Sequence, residues 1–386
     1  MACADRKIRL AVNGTALLSQ LTGIGQYTKH LMTEIEKRAG FELNYFYGIR
    51  WSNRLRIGAL PQIGRIRTFL RTAIPKPYEV SRLIQGARFR AGLKRWPADL
   101  YHEPNFMPFR FDGPTVTTIH DMSYLRYPET HPKIRVDMMN RLLPKSVERS
   151  SHILTDSEFV RDEILSAFGV SPSKVHAVHL GASSDYRPMT AGQTRKCMRQ
   201  YELIHGSYVL AVGTLEPRKN LVQALRAYRN LPAPMRDRYP LVVAGMKGWF
   251  SDKIEAEMRE LEAKGQVRLL GYVPHELLPQ LYAAASMLIY PSIYEGFGLP
   301  PLEAMASGIP VITSNQSSMP EVVGDAGYTI DPMDVEAMTA AMHEIVDATD
   351  QRQMRIARGL ARAKLFSWER CAEQTLAVYD LALTGG

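Results

Sequence analysis

Over 386 residues the chain is 45% hydrophobic and 23% charged, with a formal net charge of +9 and three cysteines. That length exceeds one ordinary α/β core and predicts two domains, and the composition excludes a disordered chain. No run approaches the roughly 18 apolar residues that span a bilayer, and Cys3, Cys197 and Cys371 are too scattered for a disulfide framework or a CxxC metal site, so a reducing cytosol is the expected compartment.

The first apolar run, 8–12, is short and leads into Asn13-Gly14, which predicts a strand over 8–13 and no signal peptide. TGIGQYTKHL (22–31) follows, with Gly23 and Gly25 ahead of a helix expected over 26–38. It is not a dinucleotide fingerprint, which would follow the strand at once and carry a third glycine and a later acid. After a strand over 41–47, residues 50–95 hold twelve Lys/Arg against one acid, Glu79, more than the whole net charge of the chain. Nucleic acid, an anionic membrane surface or a phosphorylated substrate all suit such a segment. Leu55, Ile57, Leu60, Ile63, Ile66, Phe69, Leu70 and Ile74 interleave there with Arg54, Arg56, Arg65, Arg67 and Arg71, which favours a membrane surface. Gly58, Pro61, Gly64, Pro75 and Pro77 exclude one long helix, and a solvated basic loop or a clamp for an acceptor's pyrophosphate are the alternatives.

Further strands are expected over 100–103, 116–121, 153–156 and 175–180. A polar, turn-forming stretch (181–201) then precedes strands over 208–213, 241–245, 267–271, 287–291, 310–313 and 328–330. Amphipathic stretches such as 253–263 and 335–348 fall between them. This rhythm predicts parallel sheets covered by helices on both faces. The expected division is an N-terminal domain over 1–185 and a C-terminal domain over 186–365, with 366–386 beyond it. Ligands of open α/β sheets lie beyond the carboxyl ends of the strands, so two facing domains make one cleft.

Candidate chemistry lies on those strand-end loops. After the strand ending at Pro291 come Glu295, Gly296 and Gly298, then a helix opened by prolines and carrying Glu303. Glycines let backbone N–H groups approach an anion at a helix start, and each carboxylate can accept bonds from vicinal hydroxyls. The plainer alternative is a solvated Glu295 and a Glu303 that only complements the helix dipole. Arg218-Lys219 precede Asn220, a plausible N-cap, at the next helix start. His120-Asp121 end a strand, and His102 and Asn105 sit in the loop YHEPNF (101–106). No Asp-x-Asp triplet, His/Cys cluster or P-loop occurs.

The Glu-x7-Glu spacing in EGFGLPPLEAMASGIPVI (295–312) closely resembles the retaining glycosyltransferases of family 4, which have the GT-B fold of two Rossmann-like domains. The resemblance covers nearly the whole chain. TGIGQYTKHL looks like the family's glycine loop, AVGTLEPRKNL (211–221) like its phosphate loop, and GYVPHELLPQLYAAASMLIYPS (271–292) like its nucleotide-side strand and helix. It implies a hexosyltransferase in which Glu295 holds sugar hydroxyls, Glu303 holds the ribose and Lys219 holds the donor diphosphate. The family's Arg after the strand glycine is replaced by Thr214, and Arg218 is the candidate for its role. By the same resemblance Gly23 and Gly25 belong to a flexible loop over the donor phosphates, and His120 contacts the transferred sugar. Gly213, Thr214, Val273, Gly296, Phe297, Gly298 and Leu299 complete the donor site; His102, Asn105 and Asp121 face the acceptor; and a terminal helix over 368–383 returns to the first domain. EPRKN and YHEPNF are similar to bacterial mannosyltransferases of surface polysaccharide assembly. The implied donor is GDP-mannose, with a UDP-sugar as the alternative, and the acceptor is a glycan or lipid-linked sugar. No metal or other cofactor is expected, and the enzyme is expected in the cytoplasm, peripheral at the inner membrane face through residues 50–95. A basic nucleic-acid-binding protein would explain the charge but not Glu295 and Glu303, and no recognised nucleic-acid module is present, so nucleic acid is not an expected partner.

Overall fold

The computed structural model describes residues 6–18, 21, 23–58 and 77–385. The first sheet holds β1 (Ile8–Asn13), β2 (Phe41–Phe46), β3 (Trp51–Ser52), β4 (Leu100–Glu103), β5 (Thr115–Ile119), β6 (His152–Thr155) and β7 (Val175–Ala177). Their order is β3-β2-β1-β4-β5-β6-β7, parallel except where the short β3 runs against β2. The second sheet holds β8 (Val209–Val212), β9 (Leu241–Ala244), β10 (Val267–Gly271), β11 (Met287–Tyr290), β12 (Val311–Ser314) and β13 (Tyr328–Ile330), all parallel in the order β10-β9-β8-β11-β12-β13. Strands β4, β5, β6, β9, β11 and β12 are buried at every residue. Helices on both faces leave such strands no solvent side, so β9 and β11 read as apolar runs, whereas β4, β5 and β6 also bury His102, Glu103, His152 and threonines that find hydrogen-bond partners inside.

Each sheet reverses direction once, at β1 between β2 and β4 and at β8 between β9 and β11. Loops diverge at such a point and leave a crevice at the carboxyl edge. The loops leaving β8 and β11 carry Arg218, Lys219 and Glu295, the loop leaving β5 carries His120, and the connection from β1 leads to the helix start at Gly23.

The helix Trp368–Thr384 packs on the helix Gly23–Glu36 and on β4, β5 and β6, so the chain ends on its first domain. Both interdomain crossings touch: a Cβ on Gly181 would lie 2.3 Å from Trp368 N, so only glycine fits there. The helix Pro77–Arg95 opens on a proline, as first turns tolerate. It buries Phe89 among Phe46, Tyr101 and Phe109, while Val80, Leu83 and Ile84 stay exposed.

Sequence boundaries overrun several strands. The run 175–180 ends as a strand at Ala177, yet Val178 and Leu180 are buried; the apolar pattern continues because the strand-end loop is itself covered. Among the described residues no helix is long and apolar enough to cross a membrane, and Cys197 and Cys371 are buried and unpaired. Cys3 and the stretch holding Leu60, Ile63, Arg65, Ile66, Arg67, Phe69, Leu70, Arg71 and Ile74 lie outside the described residues.

Candidate active site

A cavity of about 410 Å³ opens between the carboxyl edges of the two sheets. The first domain lines it with Gly23, Tyr27, His120, Asp121 and Asp156. The second contributes Gly213, Thr214, Glu216, Arg218, Lys219, Val273, Tyr290, Glu303 and the run Glu295, Gly296, Phe297, Gly298, Leu299.

At its centre is an ion cluster. Glu295 is 7% exposed; its Oε1 accepts from Lys219 Nζ at 2.6 Å and Tyr290 Oη at 2.9 Å. Its Oε2 lies 3.1 Å from Arg218 Nη1. Arg218 also donates to Glu216 Oε1 at 2.7 Å and to the Tyr294 carbonyl at 2.6 Å, and its buried Nε is left without an acceptor. Burial pushes the Glu295 carboxyl up, but the Arg218 and Lys219 charges outweigh it and hold the group at about 2. For Arg218 burial is again outweighed, and Glu295, Asp121 and Glu216 raise its pKa; Lys219 is lowered, burial being the largest cause. The solvated reading of Glu295 is thereby excluded. Ser292 approaches the same carboxylate and adds to the lowering.

Serines hold the loop around it: Ser317 Oγ accepts from Glu295 N at 3.0 Å, and Ser318 Oγ bonds the Glu295 and Phe297 carbonyls at 2.9 and 2.8 Å. A Cβ on Gly296 would sit 1.7 Å from the His120 carbonyl oxygen, and Gly298 has φ +111°, so both positions demand glycine. Gly298 opens the helix Leu299–Ala306. Pro300 and Pro301 bring no N–H and Leu302 N bonds back to Gly298, so the first turn offers Leu299 N–H. With the N–H groups of Gly296, Phe297 and Gly298 it donates to no protein acceptor among the described residues.

Glu303 lies beyond the first turn of that helix, so it is not a dipole complement. Burial raises its carboxyl to about 7, while bonding from Tyr282 and Tyr186 acts the other way. Tyr282 approaches it without reaching strict hydrogen-bond geometry and is a weak partner.

On the opposite wall His120 Nδ1 faces Asp156 Oδ2 and Nε2 faces the Pro104 carbonyl, each at 2.8 Å. Burial pushes the ring down, but Asp156 outweighs it and the His120 pKa is raised. Asp121 accepts from Ser123 N and Oγ at 3.0 and 2.7 Å; against its burial, the Arg218 charge across the cleft lowers it.

Four expectations need correction. His102 is fully buried, spending Nε2 on Thr118 and Nδ1 on Tyr379 Oη, and does not reach the cavity. Asn105 lies off the cavity too, its backbone N–H bonded to Glu103 Oε1 at 3.1 Å. For His102 the cause is the terminal helix, which packs on β4 and places Tyr379 against the ring. Gly23 and Gly25 form the first turn of the helix Gly23–Glu36 and not a loop. Asn220 holds the N-cap position with φ +57°, but its amide donates to the Pro291 and Pro332 carbonyls instead of capping. Missed altogether were Glu216, Tyr290, Tyr186 and Asp156. Glu216 was the most findable, as an acid inside the Arg218-Lys219 turn.

Two family descriptions match the chain, Glycosyltransferase Family 4 over residues 21–186 and Glycosyl transferases group 1 over residues 201–362. It is 41% identical over 374 residues to O-antigen chain mannosyltransferase B of Escherichia coli, spanning 94% of this chain and 96% of that one. Sucrose-phosphate synthase from Thermosynechococcus elongatus shares its fold with a TM-score of 0.79 at 19% identity, over 99% of this chain and 100% of that one. WaaG, a glycosyltransferase involved in lipopolysaccharide biosynthesis, gives a TM-score of 0.72 at 18% identity, over 98% and 100%.

Proposed function

The chain belongs to the family 4 glycosyltransferases and has their GT-B fold; from that premise we propose that it moves mannose from GDP-mannose, with retention of configuration, onto a glycan or lipid-linked acceptor of a bacterial surface polysaccharide. The observation that carries the reading is the Arg218–Lys219–Glu295 cluster lining one cavity with residues 296–299, whose N–H groups have no protein acceptor among the described residues. Cations and oriented N–H groups in a dry cleft are what a departing diphosphate needs. In the reading, the bond from the anomeric carbon to the diphosphate breaks toward Arg218, Lys219 and Leu299 N–H. The acceptor oxygen bonds to that carbon from the same face, and its proton passes to the departing phosphate. Glu295 takes a sugar hydroxyl and Glu303 the ribose. The donor sugar is drawn from the printed name of the Escherichia coli relative, a mannosyltransferase.

No group of three or more His, Cys, Asp or Glu suited to a metal occurs among the described residues, and the protein's own cations are assigned the metal's usual part, so transfer is expected to survive EDTA. Abolition by EDTA and rescue by magnesium or manganese would refute that assignment. The donor is tested by calorimetry across GDP-mannose, GDP, UDP-glucose and UDP-N-acetylglucosamine, with NMR of the product for its anomeric configuration. Tighter binding of a UDP-sugar overturns the donor, and an inverted product overturns retention. The exposed face of the helix Pro77–Arg95 supports a further part of the reading, attachment to the anionic inner face of the cytoplasmic membrane.

A further inference from the structure

Asp156, directly after β6, has no part in the reading above. It is 4% exposed, yet it lines the cavity. Its Oδ2 takes the His120 bond, and its Oδ1 has no hydrogen-bond partner among the described residues. A carbonyl only accepts, so His120 Nε2 carries a proton for Pro104 and Nδ1 serves Asp156; the ring keeps no nitrogen for a substrate. Two first-domain residues that line the cavity hold a buried polar atom without a partner among the described residues, Asp156 Oδ1 and Gln26 Oε1, and the carboxylate oxygen of Asp156 is the stronger acceptor. A buried acceptor without a donor costs about 1–3 kcal/mol, a cost that a ligand hydroxyl can remove.

Its position says which hydroxyl. Ser157, the next residue, donates through Oγ to the Gly296 carbonyl at 2.6 Å across the cleft. Gly296 packs on the His120 carbonyl and adjoins Glu295. Asp156 and Glu295 therefore line the same cavity from opposite domains, with Arg218 and Lys219 on the Glu295 side. A ring whose anomeric carbon faces those cations presents its other hydroxyls to the first-domain wall.

We propose that Asp156 Oδ1 accepts a hydrogen bond from one hydroxyl of the transferred hexose, with His120 as the positioning residue that aims the carboxylate. This rests on the hexosyl-nucleotide reading. Asp156 then acts as a specificity residue: an epimer or deoxy sugar that lacks the hydroxyl in that direction leaves Oδ1 buried and unpaired. Sites that bond a substrate hydroxyl reject analogues lacking it far more strongly than apolar pockets do.

The test is a cycle between protein and sugar. Calorimetry measures GDP, GDP-mannose and its monodeoxy analogues with the wild type, Asp156→Asn and Asp156→Ala. For one analogue the wild type is expected to lose about tenfold or more in affinity, and in both variants that difference should shrink below about threefold. GDP alone should bind all three proteins equally, which a folding defect would not allow. If every analogue loses the same factor in wild type and variants, the proposal is wrong. If GDP-mannose binds the wild type no tighter than GDP, the donor reading itself fails first, and the two failures are told apart.

Discussion

Glu295 does two jobs that pull GDP affinity and turnover in different directions. In the empty cavity its carboxylate neutralises Arg218 and Lys219, the groups assigned to the diphosphate. Glu295→Ala removes an anion that competes with that diphosphate, so GDP is expected to bind at least as tightly while turnover falls. Lys219→Ala removes a charge-assisted partner of the phosphates and should weaken both, by about 1.5–3 kcal/mol or roughly ten- to a hundredfold. Calorimetry and single-turnover kinetics on folded variants check the pair; weaker GDP binding in Glu295→Ala would contradict the competition. Glu303 makes a prediction about pH. With its carboxyl raised to about 7, protonation as the pH falls through 7 removes an acceptor from the ribose. GDP affinity should drop from pH 8 to pH 6 in the wild type and stay level in Glu303→Gln. A raised carboxyl also means the neutral form is favoured by folding, so this group opposes stability above pH 7. Glu295 and Glu303 were legible because both lie in one contiguous stretch. Tyr186 and Asp156 were not, because only the fold brings 156, 186 and 303 to one cavity.

At the scale of elements, strands such as β9 (LVVA) and β11 (MLIY) were readable as apolar runs because parallel strands covered on both faces are mostly apolar, while β4 (LYHE) and β5 (TVTTI) bury polar residues as well. Strand ends were not readable, since burial continues past the last ladder bond, as at Val178 and Leu180. The helix Pro77–Arg95 was hidden for a different reason: glycines and prolines just before it break the pattern, and its solvent face is not polar. Leu83 is 75% and Ile84 54% exposed, and Arg88, Arg90, Lys94 and Arg95 are exposed on the same helix. None of those four cations has an acidic partner among the described residues. Each basic residue near an anionic surface adds about 1 kcal/mol before screening. Flotation is expected to recover the protein with phosphatidylglycerol vesicles, less at high salt, and much less for Leu83→Glu/Ile84→Glu or for Arg88→Glu/Arg90→Glu. Equal recovery with phosphatidylcholine vesicles, or none with either lipid, would disprove membrane attachment through this helix. Nucleotide binding by the same variants should be unchanged, since these residues do not line the cavity.

For the whole molecule, the question is what holds the two domains closed over an empty cleft. Sequence reading supplied two domains and a returning terminal helix, but no single motif could show the bonds between them. Tyr294 Oη accepts from Met122 N at 2.8 Å and donates to Glu163, whose other oxygen pairs with Arg126 at 2.6 Å. Glu321 reaches from the second domain to the start of the helix Glu158–Phe168, accepting from Glu158 N at 2.8 Å and Phe159 N at 3.2 Å while pairing with His179. Trp249 Nε1 donates to the Thr130 carbonyl at 2.6 Å. Tyr294 precedes Glu295 directly, so the loop that carries the central carboxylate is also a loop that locks the domains. Opening the cleft must then loosen Glu295, and closing it must set Glu295 in place. Tyr294→Phe keeps the ring and deletes both bonds of its hydroxyl; Glu321→Gln keeps the shape and deletes the charge that serves a helix start. Bonds of this kind are worth about 1.5–3 kcal/mol when one partner is charged, and a shift of that size moves a closed-to-open ratio by roughly ten- to a hundredfold. Small-angle scattering should show either variant more extended than the wild type without nucleotide, with compaction restored by saturating GDP-mannose. Turnover should fall in both, and more in Tyr294→Phe because its loop bears Glu295, whereas GDP affinity should change by less than the closing penalty. Scattering curves that match the wild type in both variants, with turnover unchanged, would mean that these bonds form without governing closure.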